Sequence, residues 1–285
     1  MKLVSFGAVG EERPGVVAGG EIVDLLAVDP SLPATVRGIL AADALARVAE
    51  IAARAASLPA RARRAPGSVR LGPPVTDPSK IICVGRNYPA HAAEQGREPP
   101  GFPLLFGKGP NALCGDGDAV PYPRDTEALD YEVELAFVIG ARASSVPRAR
   151  ARACVAGYTI LVDLTARDLQ RREGQWFRAK SFDGAAPMGP YLVTGDEVGD
   201  PHALAISLEV NGETRQSSRT SEMTFTVDDL VAHITKTITL EPGDVVATGT
   251  PAGVGAHSDP QRFLVRGDRL AARVESLGAL AVTIV

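Results

Sequence analysis

The chain has 285 residues, 45% of them apolar and 22% charged, with a formal net charge of −4. It is long enough for one large domain, or one plus a small appendage, around a sizeable core. The charge argues against nucleic acid or an anionic membrane as main partner, while anionic small substrates stay open because a bound cation sets the local sign.

The opening MKLVSFGAVGEERPG has no long apolar h-region, and no apolar run nears the roughly eighteen residues of a membrane span, so a soluble, cytoplasmic protein is expected. Residues 1 to about 27 read as short strands, with Gly19 and Gly20 placed for a hairpin turn. From Pro33 to Leu58, Ile39, Leu40, Leu45, Val48, Ala52 and Ala55 recur at three- and four-residue steps, which predicts an amphipathic helix. The following PARARRAPGSVRLGPPVTDP reads as a linker, and its Arg61, Arg63 and Arg64 as a solvated connector.

KIICVGRNY is an apolar run ending on a Gly-containing turn, hence a buried strand that delivers Asn87 and Tyr88 to a loop. In YPAHAAEQG the proline suits a first helical turn and the glycine its end. His91 and Glu94 then lie three apart on one face, where a carboxylate orients the ring and raises its basicity, as a general base requires. On an exposed helix such a pair is more often simply solvated. GREPPGFP fits a mobile segment, and Lys108 falls in a Gly- and Pro-rich turn after LLFG. The acids Asp116, Asp118 and Asp125 lack the spacing and closing Glu of a calcium loop and read as surface turns.

In DYEVELAFVIG the alternation of Val133, Leu135, Phe137 and Ile139 predicts a strand with Glu132 and Glu134 sharing its other face. A solvated face is the ordinary reading of that pattern. Two adjacent carboxylates repel, however, and a hard divalent ion such as Mg²⁺, Ca²⁺ or Mn²⁺ compensates them with oxygen ligands. CVAGYTILVD predicts a second strand whose end brings Asp163 beside the glutamates. Thr165 is placed to cap the next helix, with Asp168 at its third position, so Arg167 and Asp168 are read as a cap or salt bridge. VNGETRQ carries an Asn-Gly hairpin turn, and DVVATGTPAGVG is a strand running into a Gly-rich loop that lacks P-loop and dinucleotide signatures. The closing segment from Phe263 reads as two or three terminal strands, and His233 and His257 as structural or exposed. Cys83, Cys114 and Cys154 are odd in number and lack CxxC spacing, which points to reduced thiols.

From about Lys80 to Val285 these segments occur in the order of the catalytic domain of the fumarylacetoacetate hydrolase family: VGRNYPAHAAE, LLFGKGPNAL, DYEVELAFVIG, GYTILVDLTARDLQ, WFRAKSFDGAAPMGP, VNGETRQ and LEPGDVVATGTPAGVG. The chain resembles that family, and GRNY, DLTARD and AKSF are closer to its acylpyruvase-type branch. The resemblance implies an α+β fold, with a small N-terminal α/β domain over residues 1–72 and the family's mixed β-roll over residues 73–285, in a homodimer. It also implies that Glu132, Glu134 and Asp163 hold Mg²⁺ or Mn²⁺, that His91 and Glu94 form a dyad on a lid, and that Lys180 points into the metal site. Gln170, and Thr250 with the amides around Gly249, match positions that contact substrate, and Lys108 lies near the active site. Three departures, Val162, Arg86 and Ala179, stand where many members have Asn, Leu and Gly and imply an altered pocket.

The expected activity is metal-dependent hydrolysis of a C–C bond in a 1,3-dicarbonyl acid of acylpyruvate or fumarylpyruvate type. Tautomerisation of 2-hydroxymuconate-like diacids and decarboxylation of oxaloacetate use the same parts. A non-catalytic small-molecule binding protein is disfavoured by retention of the three carboxylates, the lysine and the dyad.

Overall fold

A computed structural model describes residues 1–285. Its principal elements in chain order are β1 (Lys2–Phe6), β2 (Arg13–Ala18), β3 (Glu21–Asp24), α1 (Val36–Ala41), α2 (Leu45–Ala53), β4 (Arg63–Arg64), β5 (Ile81–Gly85), α3 (Pro89–Glu94) and β6 (Leu104–Lys108). Then come β7 (Val133–Ile139), β8 (Val155–Val162), α4 (Arg167–Glu173), α5 (Phe177–Lys180), β9 (Ala186–Thr194), β10 (Ala205–Val210) and β11 (Glu213–Arg219). The chain closes with α6 (Val227–Ile234), β12 (Val245–Ala247), β13 (Arg269–Val274) and β14 (Gly278–Ile284). No helix is long and apolar enough to cross a membrane.

The β2–β3 and β10–β11 connections are two-residue turns in which Gly19 and Gly20 (φ 60° and 81°) and Asn211 and Gly212 (φ 53° and 80°) both take positive φ. That is the backbone a right-twisted hairpin requires, and the reason these residue types occur there. The helix expected over Pro33–Leu58 is two helices, α1 and α2, parted at Asp43, whose φ of 51° lies outside the helical region. Arg63 and Arg64 are not free connector residues: they form β4, where Arg63 pairs with Glu21 and Arg64 with Asp24.

The fold is α+β, as expected, with mixed sheets. The main sheet runs β4-β3-β2-β1-β9-β8-β7-β12-β5-β6, so strands from both ends of the sequence share it through the β1–β9 pairing. All neighbours on this path are antiparallel except β12 and β5, which run parallel with Val245 opposite Ile81. A second sheet, β11-β10-β13-β14, extended by Ala119–Val120, packs through β14 against β9. Every residue of β7 is buried, which explains why an antiparallel strand here is apolar on both faces except at Glu134.

β8 is clamped between β7 and β9, and Gly157 marks the tightest approach. A Cβ there would fall 2.2 Å from the Val193 carbonyl oxygen of β9, so only glycine fits without parting the strands. Gly157→Ala is expected to lower stability by about 1–3 kcal/mol, the usual cost of overpacking. The measurement is the urea midpoint, and an unchanged midpoint would mean that β8 and β9 are not held this closely.

Candidate active site

The site forms where β7 begins and β8 ends. These strands pair antiparallel with Val133 opposite Val162, and the Asp163 amide donates to the Glu132 carbonyl at 2.8 Å. Register therefore brings Asp163 beside Glu132 and Glu134, and one carboxylate oxygen from each lies within 4.8 Å of the others. All three side chains are buried, so the solvated-face reading of Glu-x-Glu does not hold. The Gly-rich segment after β12 braces the strand from the far side: Gly249 N–H donates to Glu134 Oε2 at 2.7 Å and Thr250 Oγ1 to the Val133 carbonyl at 2.9 Å.

Cations surround the triad. Lys180 Nζ donates to Glu132 Oε2 and to Asp163 Oδ2, each at 2.6 Å, and lies 5.0 Å from the centre of the Phe106 ring. Lys108 Nζ donates to Asp163 Oδ1 at 2.6 Å. Arg167 Nη2 donates to Glu132 Oε1 at 2.6 Å and its Nε to Asp130 Oδ2 at 2.8 Å. Burial opposes the charge on Glu132, but Arg167 and Lys180 outweigh it and hold this carboxyl well below its usual range. For Glu134, burial and then the charges of Asp163 and Glu132 act together and push it well above. With Glu134 ionised, four buried carboxylates, Asp130 included, face three buried cations and leave one negative charge unmatched. A divalent ion fits this deficit and the all-oxygen donor set, and it would leave the cluster with one positive charge facing an anionic substrate.

The structure brings His91 and Glu94 into contact. His91 Nδ1 and Glu94 Oε1 are 2.6 Å apart, and the Gln95 side-chain amide lies 2.8 Å from His91 Nε2. With Gln95 donating, the ring keeps its proton on Nδ1 and a lone pair on Nε2, which lies 3.9 Å from Glu132 Oε1. Glu94 also accepts from Gly253 N–H at 2.9 Å, which ties α3 to the Gly-rich segment.

These groups line a cavity of about 550 Å³ that includes His91, Glu132, Glu134, Gln170, Lys180 and Thr250. Two of the expected substrate contacts sit elsewhere. Lys108 lies behind Asp163, fully buried and off the cavity wall, where it balances charge. The Gly249 amide is taken by Glu134.

Arg167 forms the expected salt bridge, to Asp130 and Glu132, and is also part of the cavity wall; the expected cap does not form, because the helix begins after Ala166 without a side-chain cap. Thr165 Oγ1 donates to the Asp163 carbonyl, while Asp168 accepts from Thr126 Oγ1 and from Glu127 N–H. His257 also lines the cavity, and burial holds it below the usual imidazole range. One signal for Arg167 was available in the sequence: it precedes Gln170 by three residues, on the same helical face.

A buried cluster of hard oxygen donors beside an oriented imidazole and an ammonium has the donor chemistry that a divalent ion requires. Residues 80–285 match the family described as fumarylacetoacetate (FAA) hydrolase, C-terminal. The chain is 41% identical over 289 residues to the mitochondrial oxaloacetate tautomerase Fahd2a of Rattus norvegicus, covering 98% of this chain and 90% of the rat protein. It superposes on fumarylacetoacetate hydrolase from Exiguobacterium antarcticum with a TM-score of 0.84 at 35% identity, covering 100% of this chain and 99% of the other. Maleylpyruvate hydrolase from Sphingobium sp. SYK-6, in complex with manganese(II) and pyruvate, aligns with a TM-score of 0.81 at 32% identity over 100% of this chain and 99% of the other. The chain belongs to the fumarylacetoacetate hydrolase family and is a metal-dependent enzyme of that family.

Proposed function

We propose that this enzyme interconverts the keto and enol forms of a small 2-oxo diacid of the oxaloacetate class. The observation that carries the reading is the cavity itself, in which Glu132, Glu134, Lys180 and the His91 lone pair face one space lined mostly by polar residues. The full-length identity with an oxaloacetate tautomerase supports it.

Glu132, Glu134 and Asp163 would hold the divalent ion, Mg²⁺ or Mn²⁺. What such an ion supplies is Lewis acidity toward the 2-oxo acid head, which makes the C3 protons of the substrate more acidic. The remaining steps belong to the chain. Glu94 orients the imidazole, and His91 Nε2, once released by Gln95, takes the C3 proton. Negative charge develops on the oxygen at C2. Two of the three N–H groups of Lys180 are bound to Glu132 and Asp163, and the third is left to meet that charge. Arg167, held by Asp130 and Glu132 and bonded to Gln170 Oε1 at 3.1 Å, presents a fixed guanidinium edge to the substrate carboxylate. The enolate oxygen takes a proton from water as the enol leaves, and His91 gives its own proton to water, so none is gained or lost; in the reverse direction the enol O–H proton is lost and the imidazolium of His91 protonates C3.

Hydrolysis of an acylpyruvate is the second reading, favoured by the His91–Glu94 contact, because the same imidazole would take a proton from water and direct hydroxide at the C4 carbonyl. Enol loss from oxaloacetate, followed by absorbance beside a pyruvate assay, separates the two. Acceleration that EDTA abolishes, with no pyruvate released, is expected. Stoichiometric pyruvate from an acylpyruvate, with no effect on enolic oxaloacetate, would establish hydrolysis instead. In either reaction His91→Ala should lower kcat by about 10²–10⁴-fold while Mn²⁺ affinity is retained, and unchanged kcat would remove His91 from the mechanism.

A further inference from the structure

Three arginines line the cavity without a role in the steps above: Arg86, Arg97 and Arg171. None of them pairs with a carboxylate of the chain, although Arg172 and Arg178 nearby are taken up by Asp125 and Glu173. Arg86 follows the last residue of β5, is half-buried, and has a φ of 54°, the left-handed region that a side chain with a Cβ rarely occupies. Such a conformation persists when its surroundings fix it, and it is concentrated at sites of function. Here the neighbouring Asn87 is fully buried and locks the turn. Its side-chain amide donates to the carbonyls of Phe225 at 3.0 Å and Thr248 at 2.8 Å, and its Oδ1 accepts from Phe225 N–H at 2.7 Å. The turn thus holds an unpartnered guanidinium at the cavity.

Helix α4 sets the spacing. Arg167 and Arg171 are four residues apart and share a face, so Arg171 lies about one turn, ~6 Å along the axis, beyond the arginine that touches Glu132. The apolar part of the wall is Val84 with the Phe106 and Trp176 rings, whose centroids are 5.3 Å apart; Phe106 lies 5.0 Å from Lys180 Nζ, and Trp176 packs against Gly85, which precedes Arg86. The cavity therefore joins two hard-oxygen glutamates, Lys180 and Arg167 to an apolar wall and to three unpaired guanidiniums.

We infer that Arg86, together with Arg171 and Arg97, forms a second anion subsite that takes the distal carboxylate of a 2-oxo diacid, and that this subsite makes the enzyme select diacids over 2-oxo acids with neutral tails. The inference rests on the reading of the triad as the site for the 2-oxo head. A distal carboxylate carried into the cavity loses water and needs its own cation, since the positive charge near the triad is engaged with the head. Guanidinium is suited to that task because it presents paired N–H groups in the plane of a carboxylate.

The test compares 2-oxoglutarate with 2-oxopentanoate, which has the same number of carbons but no distal carboxylate, by calorimetric titration of the Mn²⁺-loaded protein. Oxaloacetate tautomerisation is measured in parallel. The unaltered enzyme should bind 2-oxoglutarate about 10–100-fold more tightly than 2-oxopentanoate, the range for one or two charge-assisted hydrogen bonds. In Arg86→Gln that preference should collapse, with 2-oxopentanoate binding unchanged and the KM for oxaloacetate raised by a similar factor. Arg171→Gln, at an exposed position, gives the same readout should Arg86→Gln not fold. Equal affinity for both acids in the unaltered protein, or a preference that survives both substitutions, overturns the subsite. Arginine-dependent diacid binding without turnover of oxaloacetate would retain the subsite and reject the tautomerase reading. Turnover that is insensitive to both substitutions would do the reverse.

Discussion

Replacing Glu134 by glutamine should abolish divalent-metal binding and lower kcat/KM by 10³-fold or more, while leaving the metal-free fold as stable as before. The two halves of this expectation have separate physical origins. The carboxylate is one of three oxygen donors in the triad, and metal activation of an oxo acid contributes several kcal/mol, or about 10³-fold at 1.36 kcal/mol per decade. The fold, by contrast, uses Glu134 only as an acceptor for Gly249 N–H, which a glutamine carbonyl replaces. Glutamine also removes the charge that burial, Asp163 and Glu132 already oppose. The informative measurement is a melt with and without Mn²⁺. The unaltered protein should gain about 2.7 kcal/mol at a hundredfold excess of Mn²⁺ over Kd, and Glu134→Gln should gain nothing. Equal stabilisation of both proteins would mean that the ion binds elsewhere.

Asp130→Asn is expected to be the most damaging change outside the triad, at about 3–5 kcal/mol of stability. The carboxylate is fully buried and accepts four hydrogen bonds: from Gly255 N–H at 2.7 Å and Tyr131 N–H at 2.9 Å through Oδ1, and from Ala256 N–H at 3.0 Å and Arg167 Nε at 2.8 Å through Oδ2. An asparagine amide turns one acceptor into a donor that faces other donors, and it leaves Arg167 with Glu132 as its only carboxylate partner. Because Asp130 fixes both Arg167 and the segment carrying His257, substrate KM should rise as well. Urea unfolding gives the stability change, and a loss under about 1 kcal/mol would show that the network relaxes around the substitution.

Some of this architecture is written locally in the chain. The turns at Gly19-Gly20 and Asn211-Gly212 follow from which residues tolerate positive φ, and α3 follows from a proline at its first position and Gly96, with φ 64°, beyond its end. The strand character of DYEVELAF and YTILV and the pairing of His91 with Glu94 were readable for the same reason, since each depends on residues a few positions apart. The metal triad needed more. Alternation placed two carboxylates on one face, but the order of motifs, through family resemblance, was required to choose a metal centre over a solvated surface.

Arg167 shows where local reading stops. Its neighbours in sequence pointed to a helix cap or a salt bridge; the salt bridge forms, but its partners Asp130 and Glu132 lie 37 and 35 residues earlier and are brought to it by the pairing of β7 and β8. Lys108 likewise turns to Asp163, 55 residues away, and leaves the cavity. Arg86 was visible as an unusual residue, but that its guanidinium is unpaired and lines the same cavity as Glu132 and Glu134 is a fact of packing. Turns, strands and the His91–Glu94 contact follow from local residue order, because backbone preference acts over a few residues. Which cation meets which carboxylate, and which is left for a ligand, was decided by the tertiary structure, because charges in a low-dielectric interior pair by proximity in space.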